Sequence, residues 1–295
     1  MNISTDTLIL FVAAAENRSF TKAGDLLFLT QPAVSKRMAQ LEENLGAQLF
    51  DRIGRQIVLT EAGRTLLPRA QAIINDVNDM SCAIGNLSGT VEGELVIGTS
   101  HHIGLHRLPP YLKSYSRQFP LVKLNIKFME SEEIYEQVVH GQLELGIVTL
   151  PENPNPLLQI KSLWQDKLSF MAGSEHPLSA RQTIELEELL DYPAILPESK
   201  TFTRKIVENI VAGHSKKLRC ELSTNNLETI RMLTKIGLGW SVLPNTMSDA
   251  ALSELKIRNV HISRQLGVVL HGQRTLSNAA KEILSVLETS VSTYE

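Results

Sequence analysis

Small polar and basic residues gather at the start of one short helical pattern, TQPAVSKRMAQLEENLG at residues 30–46. Gln31 can bridge the N6 and N7 atoms of an adenine, whereas Ser35 and Lys36 can each bond a base edge or a phosphate. Because Gln31 and Ser35 lie four residues apart, a helix presents both on one face, away from the apolar residues that follow. The pattern is typical of a helix whose N-terminal end enters the major groove of DNA.

The two neighbouring cations of this stretch, Lys36 and Arg37, have a simpler explanation as an ordinary solvated helix face. Pro32 and Ala33 favour the first interpretation, because they are small enough to let the helix approach a thymine methyl group. The elements around the stretch decide between the two, since a reading helix needs a scaffold that sets its angle in the groove.

Three short helical patterns and a hairpin occupy the start of the chain. A hydroxyl or carboxylate can accept a hydrogen bond from the free N–H groups of a first helical turn. Gly46 is suited to end the third helix, and FDRIGRQIVLT at residues 50–60 forms two strand patterns around Gly54. These elements in this order predict a winged helix-turn-helix. The N-caps expected for its three helices are, in order, Thr5 or Asp6, Ser19 and Thr30.

Contacts to the DNA backbone are expected from the second helix and from the hairpin. Thr21 and Lys22 lie in the first turn of that helix, and Arg52 and Arg55 flank the hairpin turn. Such groups bind phosphates and position a protein without reading sequence. The formal net charge of the 295 residues is only −3, so a nucleic-acid surface must be local.

A long helical pattern follows from Thr60. Its apolar residues alternate spacings of four and three, which is the seam of a coiled coil. The seam predicts pairing with a second copy of the helix, although packing onto the helix's own domain would use the same residues. Pro68 removes one backbone donor and predicts a kink or a restart. The seam residues are Leu66, Ala70, Ile73, Val77, Met80, Ile84 and Leu87.

After the linker SGTVEG at residues 88–93, strand and helix patterns alternate to the end of the chain. Such alternation indicates parallel α/β sheets, and about 200 residues suit two lobes. The expected fold is α+β and multidomain, with a winged helix-turn-helix at 1–60, a linker and dimerisation helix at 61–88 and a two-lobed α/β domain at 89–295. Lobe I is expected at about 91–161 and 268–295, and lobe II at about 162–267.

The stretch SFTKAGDLLFLTQPAVSKRMAQLEENLGAQLFDRIGRQIVLTEAGRTLLPRA, residues 19–70, resembles the LysR-type transcriptional regulators, and the rest of the chain is similar to them in layout. The resemblance implies a transcription factor that dimerises through linker helices, commonly forms tetramers and carries a periplasmic-binding-protein-like (type 2) effector domain. Gly24 departs from the family, which usually has Ala there, and would permit closer helix packing. The resemblance places Gln31, Pro32, Ser35, Lys36 and Arg52 on DNA.

Ligands of two-lobed α/β domains lie between the lobes, where strands end and helices begin. Hydroxyls and free N–H groups at such places suit a carboxylate or a similar small anion. The same Ser and Thr residues could instead only cap helices. Together with the loops that the resemblance implies, these considerations select the effector-binding candidates Ser100, His101, Ser131, Thr149, Thr201, Phe202 and Asn225.

The sequence contains no recognisable catalytic or metal-binding constellation. His101 and His102 are adjacent, so their side chains leave a strand in opposite directions, and no further ligand pattern lies nearby. There is no G-x-S-x-G elbow, and Cys82 and Cys220 fall in different predicted domains rather than forming a redox pair. We therefore expect no enzyme activity, no cofactor and no metal.

The run LILFVAAA at residues 8–15 looks like the core of a signal peptide, but the segment before it carries Asp6 and no Lys or Arg. We expect a cytoplasmic protein with reduced thiols. The expected partners are promoter DNA, a small co-inducer such as a carboxylate or amino acid, further copies of the chain, and RNA polymerase. The alternative is a solute-binding protein without a regulatory role.

Overall fold

The computed structural model describes residues 3–54 and 56–291. The chain divides into two compact units. The N-terminal unit comprises Met1–Thr90 with the short segments His140–Gln142 and Arg274–Ser277, and the C-terminal unit comprises the remainder. No helix among the described residues is both long enough and apolar enough to cross a membrane.

The N-terminal unit has the predicted order of three helices, a hairpin and a long helix. Buried residues of the first three helices, among them Phe11, Val34 and Met38, form one core with the start of the long helix. Its elements are α1 (Thr5–Asn17), α2 (Phe20–Leu26), α3 (Gln31–Leu45), β1 (Phe50–Ile53), β2 (Gln56–Leu59) and α4 (Glu61–Asn86). The winged helix-turn-helix is therefore confirmed.

The helix ends follow the predictions only in part. Ser19 caps α2 by accepting from the Lys22 N–H, and Gly46 ends α3 in the left-handed conformation, as predicted. The cap of α1 was wrong, because Ser4 accepts from the Thr7 N–H and the helix begins one residue later. Thr30 occupies the N-cap position of α3 but makes no capping hydrogen bond. One of the two usual donors is missing there, since the second helical residue is a proline.

The predicted seam of α4 divides between two environments. Ala70 and Ile74 are buried in the core of the N-terminal unit, so the first half of the helix packs onto its own domain. On another face of the helix, Ile73, Met80, Ile84 and Leu87 form an exposed apolar stripe, with exposed fractions from 47% to 81%. The helix runs without interruption through Pro68, so of the predicted kink or restart the restart was wrong and the kink stays a prediction.

The C-terminal unit alternates strands and helices. Its elements up to the middle are β3 (Gly93–Thr99), α5 (His101–His106), α6 (Pro109–Gln118), β4 (Val122–Phe128), α7 (Ser131–Val139), β5 (Leu145–Thr149) and β6 (Leu158–Gly173). The remaining elements are α8 (Leu186–Leu189), β7 (Ala194–Leu196), α9 (Phe202–Val211), β8 (Cys220–Ser223), α10 (Leu227–Lys235), β9 (Ser241–Pro244), β10 (Leu252–Leu255), β11 (Ile262–His271) and α11 (Asn278–Val291).

The two lobes have separate cores and share two strands. One core contains Ile134, Val138 and Val269, and the other contains Phe170 and Trp240. A seven-stranded sheet has the order β10-β6-β11-β5-β3-β4, with β9 also paired to β6. The long strands β6 and β11 run through both lobes, and the two-lobed α/β fold is thereby confirmed.

The prediction of parallel sheets was only partly right. Strand β3 pairs in parallel with β4 and with β5, and β7 pairs in parallel with β8. All pairs made by β6 are antiparallel, as is the pair β11–β5. The two long strands connect the lobes directly and are not joined to each other through a helical crossover of the kind that parallel pairs require.

Candidate functional site

The start of α2, the start of α3 and the hairpin surround one surface recess of the N-terminal unit. Three predicted DNA-binding residues, Thr21, Gln31 and Arg52, line it together. Each is positioned by its element: Ser19 caps α2 just before Thr21, Gln31 is the first residue of α3, and Arg52 pairs with Ile57 across the hairpin. The remaining lining residues are Ser19, Phe20, Gly54, Gln56 and Ile57.

The first turns of α3 present a polar face to solvent. The Gln31 Nε2 donates to the Ser35 Oγ at 2.9 Å, so the two side chains are already arranged next to each other. Pro32 is exposed on the same turn, and Lys36 is exposed on the next. The opposite face, with Val34, is buried in the core of the unit.

Cations beside this face lack counter-ions of their own. Lys22, Lys36 and Arg52 make no ion pair with any described residue, and Thr30 is exposed beside them. Unpaired cations on one surface are the electrostatic requirement for binding phosphates. The predicted residue Arg55 lies outside the described residues.

Two apolar residues are highly exposed, one at the end of α2 and one in the turn that follows it. Leu26, the last residue of α2, is 60% exposed. Phe28 is 97% exposed and has a φ of 55°, a left-handed conformation that is uncommon for an aromatic residue. The run of apolar residue types did not predict this exposure, because the geometry of the turn directs Phe28 outward.

The C-terminal unit encloses a cavity of about 310 Å³ at the strand and helix ends that the sequence indicated. Six of the seven effector candidates line it: Ser100, His101, Ser131, Thr149, Thr201 and Asn225. Phe202 does not. Its ring lies on a neighbouring cavity of about 390 Å³ and packs edge-on against Tyr135, with the ring centroids 5.7 Å apart.

Several of these polar side chains also have structural partners. The Thr201 Oγ1 accepts from the Arg204 N–H at 3.2 Å, and the Ser131 Oγ accepts from the Thr149 N–H at 3.1 Å. The Asn225 Oδ1 accepts from the Glu198 N–H at 3.0 Å. Ser100 is the N-cap of α5 but makes no capping hydrogen bond. The capping alternative therefore accounts for Thr201, and Ser131 has a partner as well, but the Ser100 hydroxyl is left available.

A buried charge cluster beside the cavity was not predicted. The Asp166 carboxylate accepts from the Arg264 Nε at 2.9 Å and from the Arg107 Nη2 at 3.1 Å. Asp166 and Arg264 lie on β6 and β11, 98 residues apart in the chain. Burial, and next the charge of Arg264, lower the pKa of His102 to about 4, so its imidazole is neutral at physiological pH. Polar residues flank both members of the pair, Gln165 and Lys167 beside Asp166 and Ser263 and Gln265 beside Arg264, so no local signal indicated this cluster.

Carboxylates were the second feature that the sequence interpretation missed. Glu130 and Glu132 line the cavity at the end of β4 and the start of α7. The Glu132 Oε1 accepts from the Phe202 N–H at 2.5 Å and so occupies the N-terminus of α9. Burial, followed by the charges of Glu132 and Glu198, raises the pKa of Glu130.

Metal and redox chemistry find little support in the described part of the chain. No group of three or more His, Cys, Asp or Glu side chains within residues 3–54 and 56–291 is arranged to hold a metal ion. Cys82 and Cys220 form no disulfide bond within the described residues and belong to different units.

Both units match known families. Residues 5–64 match the family described as bacterial regulatory helix-turn-helix protein, lysR family, and residues 88–292 match the LysR substrate binding domain. The chain is 32% identical over 283 residues to the HTH-type transcriptional activator CmpR of Synechocystis sp., covering 94% of this chain and 92% of that relative.

Solved structures show the same fold at lower identity. A full-length OxyR variant from Pseudomonas aeruginosa superposes with a TM-score of 0.69 at 21% identity, over 99% of this chain and 95% of that one. Full-length CbnR in complex with its target DNA gives a TM-score of 0.54 at 19% identity, over 98% of this chain and 100% of that one.

Proposed function

The chain belongs to the LysR family of DNA-binding transcriptional regulators with an effector-binding domain, and we propose that it reads DNA with the exposed first turns of α3. The observation that carries this proposal is the recess that brings Thr21, Gln31 and Arg52 together. Unpaired cations beside that recess supply the charge needed to hold phosphates.

The proposed roles follow from the chemistry of each side chain. Gln31 and Ser35 face base edges as a preformed pair, and Pro32 leaves room for a thymine methyl group. Lys36 reaches a guanine or a phosphate. The backbone contacts are assigned to Thr21, Lys22, Thr30, Arg52 and Arg55.

A second copy of the chain is the proposed occupant of the exposed stripe on α4. Ile73, Met80, Ile84 and Leu87 continue the predicted seam beyond the part that packs onto its own domain. Pairing two such helices buries this stripe and joins two reading helices into a two-fold dimer. Their half-sites would then lie about 34 Å apart on the DNA. Pairs of dimers would form the tetramer.

The proposed functional division is a DNA-binding domain at 1–60, a dimerisation helix at 61–88 and an effector domain at 89–295. We assign lobe I to about 91–161 and 268–295, and lobe II to about 162–267. The site of action is the cytoplasm, where the DNA is, and RNA polymerase is the further partner whose access to the promoter changes.

A small molecule in the cavity of the C-terminal unit is the proposed co-inducer. The cavity volume of about 310 Å³ lies within the range of ligand pockets, about 300–1,000 Å³. The buried Arg264, which lines the cavity, supports at least one anionic group on that molecule. Ser100, His101, Ser131, Thr149, Thr201 and Asn225 are the proposed contacts. Phe202 is assigned a supporting role, because its backbone N–H already donates to Glu132, which lines the cavity.

Footprinting on the DNA upstream of the protein's own gene, across a salt series, tests the DNA-reading proposal. We expect a dyad-symmetric protected region that fades as salt rises, because phosphate binding releases counterions. Absence of protection there and in a genome-wide selection would contradict DNA reading. It would favour the solute-binding protein, which the cavity alone would also suit.

Matched variants test the individual residues. Gln31→Ala should weaken operator binding by about 1–3 kcal/mol and relax specificity at one base pair. Gln40→Ala is the control, since Gln40 is exposed on the same helix more than two turns farther from its start. Lys36→Ala should lower affinity and, if Lys36 binds a phosphate, reduce the salt slope by about one. Equal footprints for all three variants would refute the assignment of reading residues.

A further inference from the structure

The cavity of the C-terminal unit has polar groups of opposite charge on its walls that the protein itself leaves unsatisfied. Buried polar groups in folded proteins almost always have a hydrogen-bond partner. Where polar atoms of a cavity wall lack such partners, they indicate which chemical groups a bound molecule supplies.

The basic wall is built around Arg264, whose side chain is only 6% exposed. Its Nε donates to Asp166 and its Nη1 donates to the Thr203 Oγ1 at 2.9 Å, while its Nη2 has no partner among the described residues. Asp166 also binds Arg107, so a single carboxylate faces two guanidinium groups. Glu132 is a further negative charge near Arg264, and Arg107 does not line the cavity, so the group that this wall offers to a ligand is the Arg264 Nη2.

His102 adds an unsatisfied atom to the same wall. Its side chain is 7% exposed and lines the cavity, and its Nε2 has no hydrogen-bond partner among the described residues. The nearest carboxylate oxygen, on Asp166, lies 3.9 Å away, beyond hydrogen-bond distance. A neutral imidazole can donate one hydrogen bond to an anion bound beside Arg264.

The cavity is lined by the carboxylates of Glu130, Glu132 and Glu228. Glu228 forms an ion pair with Arg231, so the acidic wall is built around Glu130. Its carboxyl group is half-buried and makes no hydrogen bond or ion pair with any described residue, although Lys200 contributes a favourable charge nearby. Its neighbour Glu132 is already satisfied by the Phe202 N–H. Glu130 therefore lies close to other carboxylates in a partly desolvated place, where a cation would be bound favourably.

Resting on the proposed function of the cavity as an effector site, we propose that the effector is a zwitterion of the amino-acid type. Its carboxylate lies at the Arg264 and His102 wall, and its ammonium group lies at Glu130. A purely anionic ligand would leave Glu130 without a counter-charge, and a purely cationic one would leave the Arg264 Nη2 and the His102 Nε2 without hydrogen-bond partners.

Matched probe triplets test this proposal on the full chain. Each triplet contains an amino acid, the acid that lacks its amino group and the amine that lacks its carboxylate, for example leucine, isocaproate and isoamylamine. Thermal shift across triplets of the common amino acids finds the side chain that fits, and titration calorimetry then measures affinities. We expect one amino acid to bind at least about tenfold more tightly than either partner of its triplet.

Two variants assign the ammonium group to its carboxylate. Glu130→Gln should lower the affinity for the amino acid at least about tenfold. It should change the affinity for the acid that lacks the amino group less than about twofold. Glu133→Gln is the control, since Glu133 is the acid two residues after Ser131 and does not line the cavity. It should change neither affinity.

The outcomes separate this inference from the proposed function. Equal binding of the acid and the amino acid, or equal loss in both Glu variants, would overturn the zwitterion and leave an effector site for anions. Binding only by molecules with a single charge or none, found by extending the screen to metabolites of other classes, would overturn it in the same way. If no small molecule of any class binds while operator DNA still does, both the zwitterion and the effector role of the cavity are wrong.

Discussion

Asp166→Asn is expected to destabilise the C-terminal unit more than any exposed charge change in the chain. Asp166 is 1% exposed and is the only carboxylate among the described residues that forms ion pairs with Arg107 and Arg264. An amide at this position can still accept one hydrogen bond, but it leaves two cations close together without a counter-charge.

The magnitude follows from the burial of the pair. Removing one partner of a buried ion pair costs about 3–5 kcal/mol, because the other charge stays buried and uncompensated. For a domain of this size each kcal/mol lowers the melting temperature by about 2–4 °C. The expected fall is therefore roughly 6–20 °C.

Thermal and urea denaturation of the full chain, followed by far-UV circular dichroism, measure this change. Asp191→Asn is the matched control: its carboxylate pairs with the Lys216 Nζ at 2.5 Å but is 57% exposed. Exposed pairs contribute about 0–1 kcal/mol, so this variant should melt within a few degrees of the wild type. Adding Arg264→Met to Asp166→Asn should recover part of the loss, because it removes the orphaned cation.

A result in which Asp166→Asn and Asp191→Asn melt alike would refute the reasoning. It would mean that water reaches Arg264 in the folded protein and screens it as it screens a surface group. The reasoning also requires that the double variant Asp166→Asn/Arg264→Met be no less stable than Asp166→Asn alone. A larger loss would assign the cost to packing rather than to the unpaired charge.

Gly63→Ala should destabilise the N-terminal unit by about 1–3 kcal/mol, because an added Cβ would lie 2.3 Å from the Leu49 carbonyl oxygen. Gly85→Ala on the same helix meets nothing within 4 Å and should raise the melting temperature through helix propensity. The pKa of His102 is about 4 in the folded protein, so as the pH falls the imidazole of the unfolded chain, with a pKa of about 6.5, takes up a proton first. The free energy of unfolding should therefore decrease between pH 6.5 and about 4, by about 3 kcal/mol at most. His102→Gln should reduce this dependence of stability on pH. Met80→Glu, in the exposed stripe of α4, should convert dimers into monomers in light scattering.

Local patterns predicted the DNA-reading module well, because its elements are short and end at residues with fixed roles. Ser19 and Gly46 mark helix ends through hydrogen bonds and backbone angles that involve neighbours in sequence. The capping bond of Thr30 failed for an equally local reason, the proline two residues later. The seam of α4 was right as a periodicity, but the sequence could not say that Ala70 packs inward while Met80 stays exposed.

The effector cavity was predictable in position but not in charge. Strand ends and helix starts predicted six lining residues, since those places are set by the α/β architecture. The contact between Asp166 and Arg264 was not predicted, because it joins β6 to β11 across 98 residues and no local spacing indicates such a pair. The antiparallel pairing of these two strands was missed for the same reason. The Ser and Thr hydroxyls alone predicted an anionic ligand, whereas the carboxyl groups of the cavity favour a ligand that also carries a positive group.

The same geometry says what an effector must do to move the lobes. Glu132 precedes the core residues of lobe I, and its bond to the Phe202 N–H ties that lobe to the start of α9 without any ligand. A molecule that merely fills the cavity in both arrangements shifts nothing, however tightly it binds. Only interactions that differ between the open and closed arrangements can shift the equilibrium. Glu130 follows β4 in one lobe, whereas Arg264 lies on β11, a strand that both lobes share. A ligand with one charge can satisfy one of these walls at any angle, whereas a zwitterion satisfies both only at the separation that matches its own length.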